Sequence, residues 1–150
     1  MRDSRVFLAH AQEDKQRVRK LYATLTEYGF DPWLDEVDLL PGQNWKLEIQ
    51  SAIRHAGVFL ACLSSHSVAK HGYVQTEFRT ALSAYSERPA GAIYIIPVKL
   101  DECEVPDMQI PGQAITLREI HWVELWENSG IQRLTEAIKR ALAADASGTR

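Results

Sequence analysis

Glu77 is the acidic residue best placed for chemistry in this chain. Around it Val74, Phe78, Ala81, Leu82 and Tyr85 recur at helical spacing as an apolar stripe. At 100° per residue Glu77 falls roughly 85° from the centre of that stripe, which makes it a boundary residue. Tyr73 sits one turn earlier on the same side, so the sequence brings an aromatic ring and a carboxylate together. The plainer reading is a solvated helix carboxylate, favoured near the positive end of the helix dipole. Ser64, Ser65 and Ser67 precede this helix; with no base identifiable beside them, capping fits better than nucleophilic catalysis. Glu13 and Asp14 read as caps of the first helix, and Trp45, Trp122 and Trp126 as packing residues. His10, at the end of the first apolar run, is a candidate ligand contact.

Several familiar chemistries are excluded by pattern. The eight glycines include no G-x-G pair and no P-loop, so no Gly-rich phosphate cradle is encoded. There is no G-x-S-x-G elbow and no H-E-x-x-H. The five histidines are scattered, with His66 and His71 badly spaced for one helical face, and two cysteines are too few for a disulfide framework or a Cys-rich metal site. A phospho-accepting receiver needs a carboxylate at the end of its third strand, where this chain has Leu63-Ser64-Ser65.

A length of 150 residues suits one domain and argues against separate cofactor and substrate lobes. Seventeen basic against twenty acidic residues give a net charge of -3, with no basic face for a nucleic acid. The longest apolar stretch, Ala56 to Leu63, is far shorter than the roughly 20 residues that span a bilayer. Met1-Arg2-Asp3-Ser4 lacks the apolar segment of a signal peptide. A cytoplasmic protein that contacts neither nucleic acid nor membrane is the expectation.

Five apolar runs alternate with helical patterns. Strands are expected at Arg5 to Ala9, Phe30 to Leu34, Val58 to Leu63, Ala92 to Val98 and, more weakly, Glu119 to Val123. Pro32 places the second at an edge, and Pro97 marks the end of pairing in the fourth. Helices follow from Val18, Leu21, Tyr22 and Leu25; from Trp45, Ile49, Ala52 and Ile53; from about Tyr73 to Ser86; and from Ile131 to Leu142. Residues 101 to 118 read as a long loop, 1–142 as the domain and 143–150 as a flexible tail. This succession implies a flavodoxin-like α/β three-layer sandwich: a five-stranded parallel sheet, order 2-1-3-4-5, with helices on both faces. In such a sheet ligands sit beyond the carboxyl ends of strands 1 and 3, here at Ala9 to Asp14 and Ser64 to Glu77.

Four stretches in order carry a resemblance: Val6 to Lys15; Tyr28-Gly29-Phe30-Asp31-Pro32-Trp33-Leu34-Asp35; Leu39-Leu40-Pro41-Gly42-Gln43-Asn44-Trp45; and Ser64 through Glu77. Together they resemble a bacterial TIR (Toll/interleukin-1 receptor) domain over about Arg5 to Leu142. Many members cleave NAD+ at the nicotinamide-ribose bond with a glutamate in a W-x-x-x-E pattern, while others are non-catalytic adaptors. Tyr73 to Glu77 matches that pattern with Tyr for Trp, which implies Glu77 as the catalytic glutamate. Ala9 stands where a serine is usual. The segment Asp38 to Trp45 is similar to the family's BB loop, which covers the site and mediates assembly.

The resemblance implies NAD+ glycohydrolysis to nicotinamide and ADP-ribose in antiviral defence or signalling, with NAD+ as substrate and no separate cofactor or metal. It leaves open a cyclase making a cyclic ADP-ribose isomer, or an inert TIR–TIR interaction module. Phe7, His10, Trp33 and Tyr73 are the implied walls for nicotinamide or ribose, and Ala11 a further implied substrate contact. Asp38, Leu39 and Trp45 form a lid, and Ser64 and Ser67 supply polar contacts. Self-association into dimers or filaments through the BB loop, and a sensor or effector partner protein, complete the expectation.

Overall fold

The computed structural model describes residues 4–68, 73–89 and 91–148, with the backbone alone at 36, 73–75 and 144–148. Five strands, β1 (Arg5–Ala9), β2 (Asp31–Trp33), β3 (Val58–Leu63), β4 (Ile95–Lys99) and β5 (Val123–Glu124), form one sheet in the order β2-β1-β3-β4-β5. Every pairing is parallel. The helices are α1 (Lys15–Glu27), the single turn α2 (Asp35–Asp38), α3 (Trp45–His55), α4 (Tyr73–Ser86) and α5 (Gly130–Gly148). The α/β class and strand order are those expected from the sequence.

Side chains alternate across a strand, so each strand feeds two cores. Phe7, Ala9, Phe59, Ala61 and Leu63 face α3 and α4, where they meet Ile49, Ile53, Phe78, Ala81 and Leu82. Val6, Leu8, Val58, Leu60 and Cys62 face α1 and α5, against Val18, Leu21, Leu25, Leu134 and Ile138. Because β3 is buried at all six positions, its sequence is apolar throughout instead of alternating. Each buried Val, Leu, Ile or Phe among them contributes about 1.5–3 kcal/mol by leaving water.

The two strand prolines have different reasons for being tolerated. Pro32 lies on the edge strand, opposite Val6. Pro97 does not end pairing as expected, because β4 continues to Lys99 opposite Leu63. The Tyr94 carbonyl accepts from Phe59 N–H and Leu100 N–H donates to the Leu63 carbonyl, whereas the Lys99 carbonyl accepts from Leu125 N–H. Even-numbered backbone groups of β4 thus face β3 and odd-numbered ones face β5. The position where Pro97 lacks an N–H points toward β5, whose pairing begins only at Val98 opposite Val123.

The last elements differ from expectation at their ends. Residues 117–119 form a 3-10 turn closed by a Thr116/Glu119 capping box, which removes Glu119 from the expected fifth strand; β5 itself is two residues, Val123–Glu124. Between β4 and this turn, a loop in place of a crossover helix buries Val105, Ile110 and Leu117 against the α3/α4 face. The final helix does not stop at Leu142 but continues through Ala143, Ala144 and Ala146 to Gly148, since alanines extend a helix readily.

Candidate functional site

The groove between α3 and α4 is built by local sequence. Leu40 to Gln43 make a tight turn in which Gln43 N–H donates to the Leu40 carbonyl, with Pro41 and then Gly42 at φ +94° in the central positions. The next residue, Asn44, accepts from Leu47 N–H at 3.2 Å and so starts α3. Ile49 and Ile53 turn into the core, which leaves Trp45 on the rim, 49% exposed. From the other side α4 presents Phe78 inward and Glu77 beside it.

At the far end of both helices, Arg88 donates to the carbonyls of Ala84 (3.1 Å) and Ala56 (3.0 Å). Its guanidinium lies 3.5 Å from the Tyr94 ring centroid, and Tyr94 Oη donates to the Ile53 carbonyl at 2.7 Å. This clamp fixes the spacing of α3 and α4 and hence the width of the groove.

The groove encloses about 330 Å³ and is lined by Trp45, Lys46, Ile49, Gln50, Ile53, Thr76, Glu77 and Thr80. Periodicity alone puts Glu77 at a solvent boundary, but on the wall of this groove, opposite α3, the residue is only 5% exposed. A carboxylate over an Ile49/Ile53 floor sits where the effective dielectric is low. There it interacts with a nearby positive charge more strongly than in water.

A second polar constellation lies at the carboxyl ends of β1, β3 and β4. Asp14 is fully buried and accepts from Ser64 Oγ at 2.7 Å and from Arg17 Nη2 at 2.7 Å. Ser64 Oγ in turn accepts from the N–H groups of His66 and Ser67, while Ser67 Oγ accepts from Ser64 N–H at 2.8 Å. Arg17 also donates to Asp101, which accepts from Ser65 N–H at 2.8 Å. Burial raises the Asp101 carboxyl, but the hydrogen bonds from Ser65 and Arg17 outweigh it and hold the group below its ordinary value.

The expected site residues divide between these places. Glu77 and Trp45 share the α3/α4 groove, and Trp45 is a rim residue, not the packing residue its helical position suggested. Phe7 and Trp33 are not groove walls. Their rings stack at 5.0 Å, Phe7 stacks on Phe59 at 5.3 Å, and all three are buried, because this face of β1 and β2 is roofed by helices. Ala11 is buried, and half-buried His10 sets Nδ1 3.2 Å from the Leu8 carbonyl. Asp38 is exposed and accepts from Leu34 N–H at 2.9 Å, while Leu39 packs against the core from α2's end.

Ser64 and Ser67 do not cap α4, which begins at Tyr73; they are hydrogen-bonded to each other, and Ser64 also donates to Asp14. Nor does Asp14 cap α1 through its side chain. The side chain of Tyr73 lies outside the described residues. Lys46 and the Arg17–Asp14–Ser64 network escaped sequence reasoning. The i,i+3 spacing of Asp14 and Arg17 was the available signal for the latter. Among the described residues no group of three or more His, Cys, Asp or Glu side chains is arranged to hold a metal ion. No helix there is long and apolar enough to cross a membrane.

This order of strands and helices is matched by known proteins. The family model described as TIR domain matches residues 6–142. The chain belongs to the TIR domain family.

A curated relative is the uncharacterized protein y4cD of Sinorhizobium fredii (strain NBRC 101917 / NGR234), 24% identical over 139 residues. The match covers 93% of this chain but 21% of that protein, so the chain spans about a fifth of its relative's length. Among solved structures, the TIR domain of the Toll-related receptor TRR-2 from Hydra magnipapillata superposes with a TM-score of 0.68 at 20% identity, over 89% of this chain and 97% of that one. A metazoan TIR-STING receptor from C. gigas, solved in complex with 2',3'-cGAMP, gives 0.67 at 22%, over 95% and 41%. The TIR domains of the activated Roq1 resistosome, which recognizes the pathogen effector XopQ, give 0.57 at 22%, over 65% and 57%. At these identities the likeness is one of fold.

Proposed function

We propose that this TIR domain is an NAD+ glycohydrolase in which Glu77 acts on the nicotinamide ribose. The observation that carries the reading is a carboxylate 5% exposed on the wall of an open groove, with the half-exposed Trp45 on its rim. Ordinary glycoside hydrolysis needs an acid to protonate the leaving oxygen. Nicotinamide needs none: the bond between C1' and the pyridinium nitrogen breaks, its electron pair returns to the ring, and a neutral base departs. What the protein must supply is orientation of the ribose and a fixed negative charge opposite the oxocarbenium-like transition state. Glu77 does both by accepting hydrogen bonds from the ribose hydroxyls. Water then bonds to C1' and loses a proton to solvent, giving ADP-ribose. NAD+ is the substrate, and this scheme calls on no metal or further cofactor.

Self-association and a role in defence signalling belong to the same proposal. Val37, Leu40 and Leu47 are each more than half exposed beside the α2–α3 turn, an apolar set suited to contact a second copy. The test is to incubate the purified protein with NAD+, dilute and under conditions that drive assembly, and to resolve the products by chromatography. ADP-ribose and nicotinamide are expected. A cyclic isomer would reassign the acceptor from water to the substrate's adenine, and no nicotinamide release on assembly would overturn the reading.

A further inference from the structure

We infer that Lys46 binds the phosphate adjoining the nicotinamide ribose, so that the α3/α4 groove recognises a phosphorylated nicotinamide nucleoside and not the nucleoside alone. The inference rests on the NAD+-cleaving reading of the same groove. Among the eight described residues that line it, Glu77 is the one anion and Lys46 the one cation. NAD+ carries its positive pyridinium at one end of the nicotinamide ribose and its negative diphosphate at the other. With the pyridinium end at Glu77, the phosphates cannot share the carboxylate's position without strong repulsion, and the ammonium is the complementary charge that the lining offers.

Position and size support the same orientation. Lys46 is exposed at the mouth, and among the described residues it has no carboxylate partner; its Nζ lies 5.6 Å from the Trp45 ring centroid. As the second residue of an 11-residue helix, it stands where the helix dipole reinforces its charge. A volume of about 330 Å³ is at the small end for ligand sites, enough for the nicotinamide ribonucleotide half while the adenosine half extends outward past Lys46.

Nicotinamide release should be measured with NAD+, nicotinamide mononucleotide and nicotinamide riboside for the parent protein, Lys46→Ala and Lys46→Arg. One charge-assisted phosphate contact predicts that Lys46→Ala lowers the NAD+-to-riboside ratio of kcat/KM about tenfold, mainly through KM, and that Lys46→Arg restores most of it. An unchanged ratio in Lys46→Ala would overturn the inference. Titration with ADP-ribose, followed by calorimetry, provides a readout that needs no turnover. There Lys46→Ala should weaken binding about tenfold. If no substrate yields nicotinamide even on assembly, the hydrolase reading fails, and the titration still decides Lys46. Weaker binding by Lys46→Ala supports the phosphate contact, whereas equal binding, or none by the parent protein, refutes it.

Discussion

Arg17→Ala tests the buried network that anchors the segment leading from β3 toward α4. The substitution removes the guanidinium that donates to Asp14 at 2.7 Å and to Asp101 at 3.2 Å. The Asp14 side chain is wholly buried and that of Arg17 is 40% exposed. Stripping the partner from a buried ion costs about 3–5 kcal/mol, and from an exposed one roughly 0–1 kcal/mol. With one ion dry and its partner wetted, the expected loss is about 2 kcal/mol. At an unfolding entropy of about 2 cal/mol/K per residue, that lowers the Tm of a chain this long by about 6 °C.

The assay is urea and thermal unfolding followed by circular dichroism. Asp101→Asn serves as the control, because it removes only the exposed arm of the network and should cost under about 1 kcal/mol. Arg17→Ala combined with Ser64→Ala should show a coupling of about 1 kcal/mol, since both side chains donate to Asp14. An Arg17→Ala protein within about 0.5 kcal/mol of its parent would show that Asp14 does not depend on Arg17, and the network argument would be wrong.

Three further outcomes are expected. The Asp101 carboxyl is held below its ordinary 3.8, so the stability it contributes is present above that pH and is lost as pH falls through and below it. Between pH 6 and pH 3 the urea midpoint of the parent protein should therefore fall further than that of Asp101→Asn. Burial, and then the Asp14 charge, push the Cys62 thiol far above its ordinary 9.0, while Cys103 is half-buried and raised less. In the native protein iodoacetamide should label Cys103 slowly and Cys62 not at all, with both labelled in urea; prompt native labelling of Cys62 would contradict its burial. A Cβ at Gly130 would stand 2.7 Å from the Glu124 carbonyl oxygen and 2.9 Å from that of Leu125. Gly130→Ala should thus lose about 1–3 kcal/mol despite alanine's better helix propensity, and a raised Tm would count against the packing described.

What could be read from the sequence was what local pattern controls. Val58 to Leu63 announces a strand covered on both faces, and Pro32 an edge, because burial and the missing N–H act on those residues directly. Pro97 misleads, since whether its absent donor matters depends on how far β5 extends, a fact settled some 25 residues away. The same holds at the site. The phase of Glu77 on its own helix says boundary, yet in the fold it is 5% exposed on the groove it shares with α3. Trp45 looks like a core residue by spacing, yet Ile49 and Ile53 already fill the floor beneath α3. Asp14 has the position of a cap, while its partner Ser64 is 50 residues distant.

The central claim is that the Glu77 carboxylate accelerates cleavage of the nicotinamide-ribose bond. Its most direct test is the rate of nicotinamide release from saturating NAD+ by Glu77→Gln and the parent protein, assembled under identical conditions and matched for secondary structure. Removing one preorganised charge that acts in the transition state predicts a fall in kcat of about 10²–10³-fold. A Glu77→Gln protein that releases nicotinamide at the parental rate would contradict it.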